Sequence, residues 1–171
     1  MKSNIALIGF MGSGKSTIGK RLARRLQREF VETDNLIEEH AGMPIPEIFR
    51  ERGEAGFRDI EEAIIQDIAV SAQNAVIACG GGVIVRQANI DRLKGSSSIV
   101  YLETKIENLQ DRLSGSRKRP LLNRPDRDQF IEELLEVRRP LYQAAADITI
   151  KTGKRPFAAV ISEIIERLEI G

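Results

Sequence analysis

Nine residues near the amino terminus restrict this chain to a narrow set of folds: Gly9-Phe10-Met11-Gly12-Ser13-Gly14-Lys15-Ser16-Thr17. They fit G-x-x-x-x-G-K-[S/T], a phosphate-cradling loop that joins a buried strand to a helix. The required context is present, because the aliphatic run Ile5-Ala6-Leu7-Ile8 precedes the loop and helical periodicity at Ile18, Leu22 and Leu26 follows it. Glycine tolerates positive φ, which lets backbone N–H groups turn inward around a polyphosphate. Residues Gly12, Ser13, Gly14, Lys15, Ser16 and Thr17 are therefore the expected nucleotide contacts. Lys15 supplies a point charge for the outer phosphates and Ser16 a hydroxyl for Mg²⁺. The helix that follows aims the positive end of its dipole at the same anion. A bound nucleoside triphosphate is predicted; its use is left open.

Strands and helices alternate along the rest of the chain, which predicts a doubly wound α/β domain. A helix from Lys15 to about Arg28 exposes Lys20, Arg21, Arg24, Arg25 and Arg28, as a solvated face does. The extended segment Phe30 to Asp34 would, with a strand period of two, point Glu32 and Asp34 the same way. A helix follows Asp34, itself a candidate N-cap, and ends near Gly42. Pro44 and Pro46 punctuate the next turn, a short segment from Glu47 to Arg52 follows, and Gly53 and Gly56 lead into a helix over about 57–71. Arg58 lies one turn before Glu61 and Glu62, an arrangement that an ordinary helical ion pair explains.

Ala75 to Cys79 is expected to be a buried parallel strand that runs directly into Gly80-Gly81-Gly82. Glycines at the carboxyl end of such a strand lie where open α/β sheets bind ligands. Further strands are predicted at Ser98–Leu102 and Asp147–Ile150. Between them, Ser114 to Pro125 combines breakers with concentrated positive charge and reads as a mobile basic lid over about 114–125. A helix from about Asp128 should break or kink at Pro140, and a last amphipathic helix carries Phe157, Val160, Ile161, Ile164, Ile165 and Leu168.

At 171 residues the chain is expected to form one domain, residues 1–171, burying about 70% of its unfolded surface. A net charge of +1 gives no electrostatic reason to expect nucleic acid. The single cysteine, Cys79, excludes an internal disulfide and reads as a small buried residue. With one histidine, His40, a Cys/His zinc cluster is excluded too. No stretch approaches transmembrane length and no secretory signal is visible, so a cytoplasmic location is the default expectation. Nothing demands a partner chain, and a monomer is expected.

Three roles use a phosphate loop. A GTPase switch needs D-x-x-G, yet no aspartate here has glycine three residues later. Asn123-Arg124-Pro125-Asp126 lacks the lysine of a guanine-reading N-K-x-D. A nucleotide-binding module without chemistry explains the loop but not the carboxylates, the triple glycine and the basic lid. Small-molecule phosphoryl transfer uses all of them.

At this level of detail the sequence resembles the shikimate kinases, a family of phosphate-loop proteins akin to the nucleoside-monophosphate kinases. The resemblance rests on GFMGSGKST (9–17), Thr33-Asp34, Ile48-Phe49, GFRDIE (56–61), CGGG (79–82), RPLL (119–122) and RRPLY (138–142), and so runs almost end to end. It implies a three-layer kinase fold with a five-stranded parallel sheet, and ATP-dependent phosphorylation of the shikimate 3-hydroxyl with Mg²⁺. By position, Asp34, Phe49, Phe57, Arg58, Gly80, Gly81, Gly82 and Arg138 would surround shikimate. The two arginines suit its carboxylate, which guanidinium groups bind in a directional, bidentate way. Lys15, Asp34 and Arg119 would be catalytic, Arg119 would also reach the ATP phosphates from the lid, and Arg112 would cover the adenine. One departure stands out. Where the family usually has Asp-x-Asp this chain has Glu32-Thr33-Asp34, so Glu32, the expected metal partner of Ser16, is one methylene longer and could act directly or through water. The nearest rival is a related small-metabolite kinase such as gluconate kinase, which has no need of two arginines for a ring carboxylate.

Overall fold

The computed structural model describes residues 2–113 and 124–170, with residues 111–113 as backbone only. Five strands form one parallel sheet: β1 (Asn4–Ile8), β2 (Glu29–Glu32), β3 (Ala75–Ala78), β4 (Ser97–Glu103) and β5 (Ile148–Lys151), in the order β2-β3-β1-β4-β5. The parallel register pairs Ile5 with Val76 on one side and Ser98 on the other. β1 is therefore central and buried along its whole length, which is why its sequence is almost continuously apolar.

Among the described residues seven α-helices cover the sheet: α1 (Lys15–Leu26), α2 (Thr33–Ala41), α3 (Ile45–Ser71), α4 (Gln87–Ser96), α5 (Ile106–Leu113), α6 (Arg127–Ala145) and α7 (Phe157–Arg167). The strand period of two divides β1 between two cores. Ile5 and Leu7 join Ile18 and Leu22 of α1 and Val160 and Ile164 of α7. Ala6 and Ile8 face the opposite layer, with Ile37 of α2, Ile65 of α3, Leu93 of α4, Leu109 of α5 and Leu135 of α6. The result is three layers with the phosphate loop at the carboxyl end of the central strand, where doubly wound sheets hold ligands.

Four expectations are corrected. β2 stops at Glu32, which is the extended N-cap of α2 (φ −113°, ψ 117°), so Thr33 and Asp34 belong to a first helical turn and no strand alternation relates Glu32 to Asp34. The expected break near Gly53 and Gly56 reduces to one non-helical residue, Gly53 (φ 70°), inside α3. Helix α6 continues through Pro140 to Ala145. Proline removes one N–H from the ladder, but the turn beyond it is anchored by buried Tyr142 and Ala145 and closed by the Ala146 N–H donating to the Tyr142 carbonyl. Helix α4 was not anticipated, because few apolar residues carry its core face: Ile90 and Leu93. The buried state of Cys79 and the exposed state of His40 agree with expectation. The lid stretch 114–123 lies outside the described residues. Among the described residues no helix is long and apolar enough to cross a membrane.

Candidate active site

The loop after β1 has glycine at three positions with positive φ, Gly9 (154°), Gly12 (82°) and Gly14 (94°), the last serving as left-handed N-cap of α1. The Ser13 N–H closes a turn onto the Phe10 carbonyl at 3.1 Å. Lys15 is 9% exposed, and its Nζ donates to the carbonyls of Gly9 (2.8 Å) and Phe10 (2.9 Å), which hold the ammonium across the mouth of the loop. Ser13 Oγ is buried without a partner. Thr17 is exposed on the first turn of α1.

Across from the loop, Ser16 Oγ donates to Glu32 Oε1 at 2.6 Å. The hydroxyl and carboxylate that the sequence singled out for a metal thus stand side by side, two hard oxygen donors of the kind Mg²⁺ takes. Asp34 follows one residue into α2. A cleft of about 370 Å³ joins these pieces, lined by Met11, Gly14, Lys15, Ser16, Glu32, Asp34, Gly80 and Gly81 among others, with Phe157 at its edge.

The triple glycine closes the cleft from β3. A Cβ at Gly80 would stand 2.9 Å from Asp34 Oδ1 and 3.2 Å from Glu61 Oε2. At Gly82 it would fall 2.3–2.5 Å from the guanidinium of Arg58. Only a bare backbone lets these charged groups crowd the turn. Arg58 is 5% exposed; its Nη1 donates to Glu61 Oε1 at 3.0 Å, and its Nε makes a looser 3.5 Å ion pair with Glu54. Its guanidinium also lies 5.0 Å from the Phe57 ring, which packs 4.8 Å from Phe49. Arg138 of α6 is 4% exposed, its Nη1 has no hydrogen-bond partner, and a Cβ at Gly81 would meet that nitrogen at 3.8 Å.

The structure therefore brings Lys15, Ser16, Glu32, Asp34, Arg58, the three glycines and Arg138 to one end of the sheet. The Arg112 side chain and all of Arg119 lie outside the described residues. Sequence reasoning missed Glu61. It is fully buried, and burial raises its carboxyl above the ordinary value against the opposing pull of Arg58. The i, i+3 spacing to Arg58 is visible in the sequence, where an ordinary helical ion pair explains it. Thr33 and Tyr142 were also missed: Thr33 Oγ1 accepts from the Gly80 N–H at 3.1 Å, and the Tyr142 hydroxyl donates to the Gly81 carbonyl.

The shikimate kinase family model matches residues 11–169 of this chain. The chain belongs to the shikimate kinase family. A shikimate kinase from Vibrio cholerae is 44% identical over 168 residues, covering 98% of this chain and 96% of that one. One from Pseudomonas paraeruginosa is 41% identical over 165 residues, covering 96% and 95%. The solved shikimate kinase from Acinetobacter baumannii, in complex with shikimate, superposes with a TM-score of 0.95 at 37% identity, covering 99% of this chain and 94% of that chain. Membership agrees with the five-stranded parallel sheet and its order, and it sets aside both the gluconate kinase rival and a GTPase switch. Within a shikimate kinase framework, the departure at Glu32 keeps its carboxylate against Ser16 despite the extra methylene.

Proposed function

We propose that this protein transfers the γ-phosphoryl group of ATP to the 3-hydroxyl of shikimate, giving shikimate 3-phosphate and ADP on the route to aromatic amino acids. The observation that carries this reading is the turn of three glycines opposite the phosphate loop, which two buried arginines and two carboxylates crowd. ATP phosphates would lie in the loop of Gly12 to Thr17, with Lys15 already held across its mouth by two carbonyls. Ser16 and Glu32 would hold Mg²⁺, which when bound neutralises charge on the phosphates.

On the acceptor side, Arg58 and Arg138 would take the carboxylate of shikimate, with Phe49 and Phe57 beside the ring. Asp34 would accept the proton of the 3-hydroxyl as its oxygen forms a bond to the γ-phosphorus and the bond from that phosphorus to the bridging oxygen of ADP breaks. Such catalysis is mostly positioning and electrostatic stabilisation. Arg119 would close over the transferring group and Arg112 over the adenine. Supporting the division of labour is the separation of charges: the lysine sits on the loop, whereas both buried arginines stand by the glycines. A coupled ADP-release assay with shikimate, with gluconate and with no acceptor tests the proposal. ADP release that depends on shikimate alone is expected; equal release with gluconate or without acceptor refutes it.

A further inference from the structure

Each carbonyl of the glycine turn has a different partner. The Gly80 carbonyl accepts from the Val83 N–H at 3.1 Å and the Gly82 carbonyl from the Val85 N–H at 3.0 Å, both within the short 3₁₀ turn Val83–Val85. The Gly81 carbonyl is met instead by a side chain from a distant helix, the hydroxyl of Tyr142 in α6. Gly81 is half-buried on the cleft wall, and glycine leaves its peptide free to rotate unless a partner holds it.

Tyr142 is well placed to supply a fixed one. It is fully buried, and its ring stacks on Tyr101 of β4 with centroids 5.0 Å apart and planes 24° from parallel. Tyr101 is itself 1% exposed and pairs in register with Ile8, the last residue of the central strand. The hydroxyl is thereby tied to the sheet. Gly81 also faces both halves of the site. A Cβ there would stand 3.2 Å from the Met11 amide of the phosphate loop and 3.8 Å from Arg138 Nη1. Arg138 precedes Tyr142 by one helical turn, so both residues project from the same face of α6. Burial pushes the Tyr142 hydroxyl well above its ordinary value, while the Arg138 charge and a hydrogen bond with Arg138 pull the other way, so the hydroxyl touches both Gly81 and Arg138.

We propose that Tyr142 is a positioning residue for the acceptor site: its hydroxyl fixes the Gly81 peptide, and through it the spacing between the phosphate loop and Arg138. The role rests on the function proposed above. It also gives α6 a reason to stay helical past Pro140, since a break there would carry Tyr142 off the face that bears Arg138.

The test is Tyr142→Phe, which keeps the ring and its stack and removes only the hydroxyl, with its bond to the Gly81 carbonyl and its contact with Arg138. Loss of one buried hydrogen bond corresponds to a ~5- to 10-fold change in an equilibrium. The shikimate KM should rise by that factor, the ATP KM should stay within about twofold, and calorimetric shikimate affinity should fall in parallel with its KM. A purely structural hydroxyl would lower the melting temperature and leave both KM values in place; that result overturns the proposal. So does an equal rise in both KM values, which would mean general damage to the site. Wild-type kinetics are measured first. If shikimate elicits no ADP release from the wild type, the reading of the site itself fails; normal wild-type turnover with an unmoved Tyr142→Phe KM sinks only the positioning role.

Discussion

Arg138 is a sharper probe of the acceptor site than Arg58, because what it gives up within the protein is a contact with the neutral Tyr142 hydroxyl rather than a close buried ion pair. Its guanidinium is buried, yet Nη1 has no hydrogen-bond partner. Arg58 is a poorer probe: Glu61, paired with it at 3.0 Å, is fully buried, and stripping one partner from a buried ion pair costs about 3–5 kcal/mol of stability. For Arg138→Ala the loss falls on the ligand instead. A hydrogen bond to a charged group contributes about 1.5–3 kcal/mol. A bidentate clamp on a carboxylate makes two, and water entering the vacated space returns part of that. A net ~2–4 kcal/mol remains, a ~30- to 700-fold rise in the shikimate KM at about 1.4 kcal/mol per decade. Arg138→Lys keeps a point charge and loses the planar fork, so it should recover about half of the loss on a logarithmic scale. The assay is coupled ADP release with shikimate varied at saturating ATP, the ATP KM as internal control and a thermal melt for each variant. If Arg138→Ala folds normally and its shikimate KM stays within about threefold of wild type, the carboxylate clamp is wrong.

Three further outcomes are expected. Arg119→Ala should lower kcat about 10³-fold or more, as loss of an arginine finger does, and a near-normal turnover number would remove the lid arginine from the mechanism. The Glu61 carboxyl is raised above 4.5 in the folded protein, chiefly by burial, so the native state binds its proton more tightly than the unfolded chain does. That contribution to stability is complete below about pH 4.5 and is lost as pH rises through the folded value; the stability of Glu61→Gln relative to wild type, from urea titrations, should therefore climb with pH across this window and then level off, whereas a pH-independent difference contradicts the burial argument. Burial pushes the Cys79 thiol up to about 12, so a disulfide reagent at pH 8 should label it only after unfolding, and rapid labelling of the native protein would disprove the inertness assigned to it.

The donor half was legible in the sequence because backbone geometry dictates it: a chain can take positive φ at positions 12 and 14 only with difficulty unless they are glycine. The acceptor half was legible by resemblance, since Arg58 and Arg138 lie 80 positions apart and only the fold brings both to Gly80–Gly82. Alternation gave the right outcome at Glu32 and Asp34 for the wrong reason: both acids line the cleft, but the strand ends between them and a helical turn sets the direction of the second. Burial was the quantity that pattern could not supply at Glu61. An acid three residues after an arginine looks the same on an exposed helix face as beneath a glycine turn. Tyr142 was hidden by its neighbour, since a proline inside an apolar pattern argues for a break that tertiary packing overrides.

The distribution of unmet hydrogen bonds separates the site from the rest of the interior. Among the described residues six buried side-chain polar atoms have no partner, and four of them belong to Ser13, Arg58, Glu61 and Arg138. The other two belong to Asn89 and Arg92 of α4; Asn4 shows the usual rule, donating to the Ala72 carbonyl and accepting from the Ala75 N–H. A chain selected for stability alone would have no reason to gather its shortfall at one end of the sheet, because each orphaned group there costs about 1–3 kcal/mol. Ser13 belongs to the phosphate loop, its Oγ beside Gly9, and the other three residues surround the glycine turn. Polar atoms withdrawn from water and held in place by neighbours are what a preorganised binding site requires, and on the proposed function Arg58 and Arg138 would find their missing partner in the acceptor carboxylate.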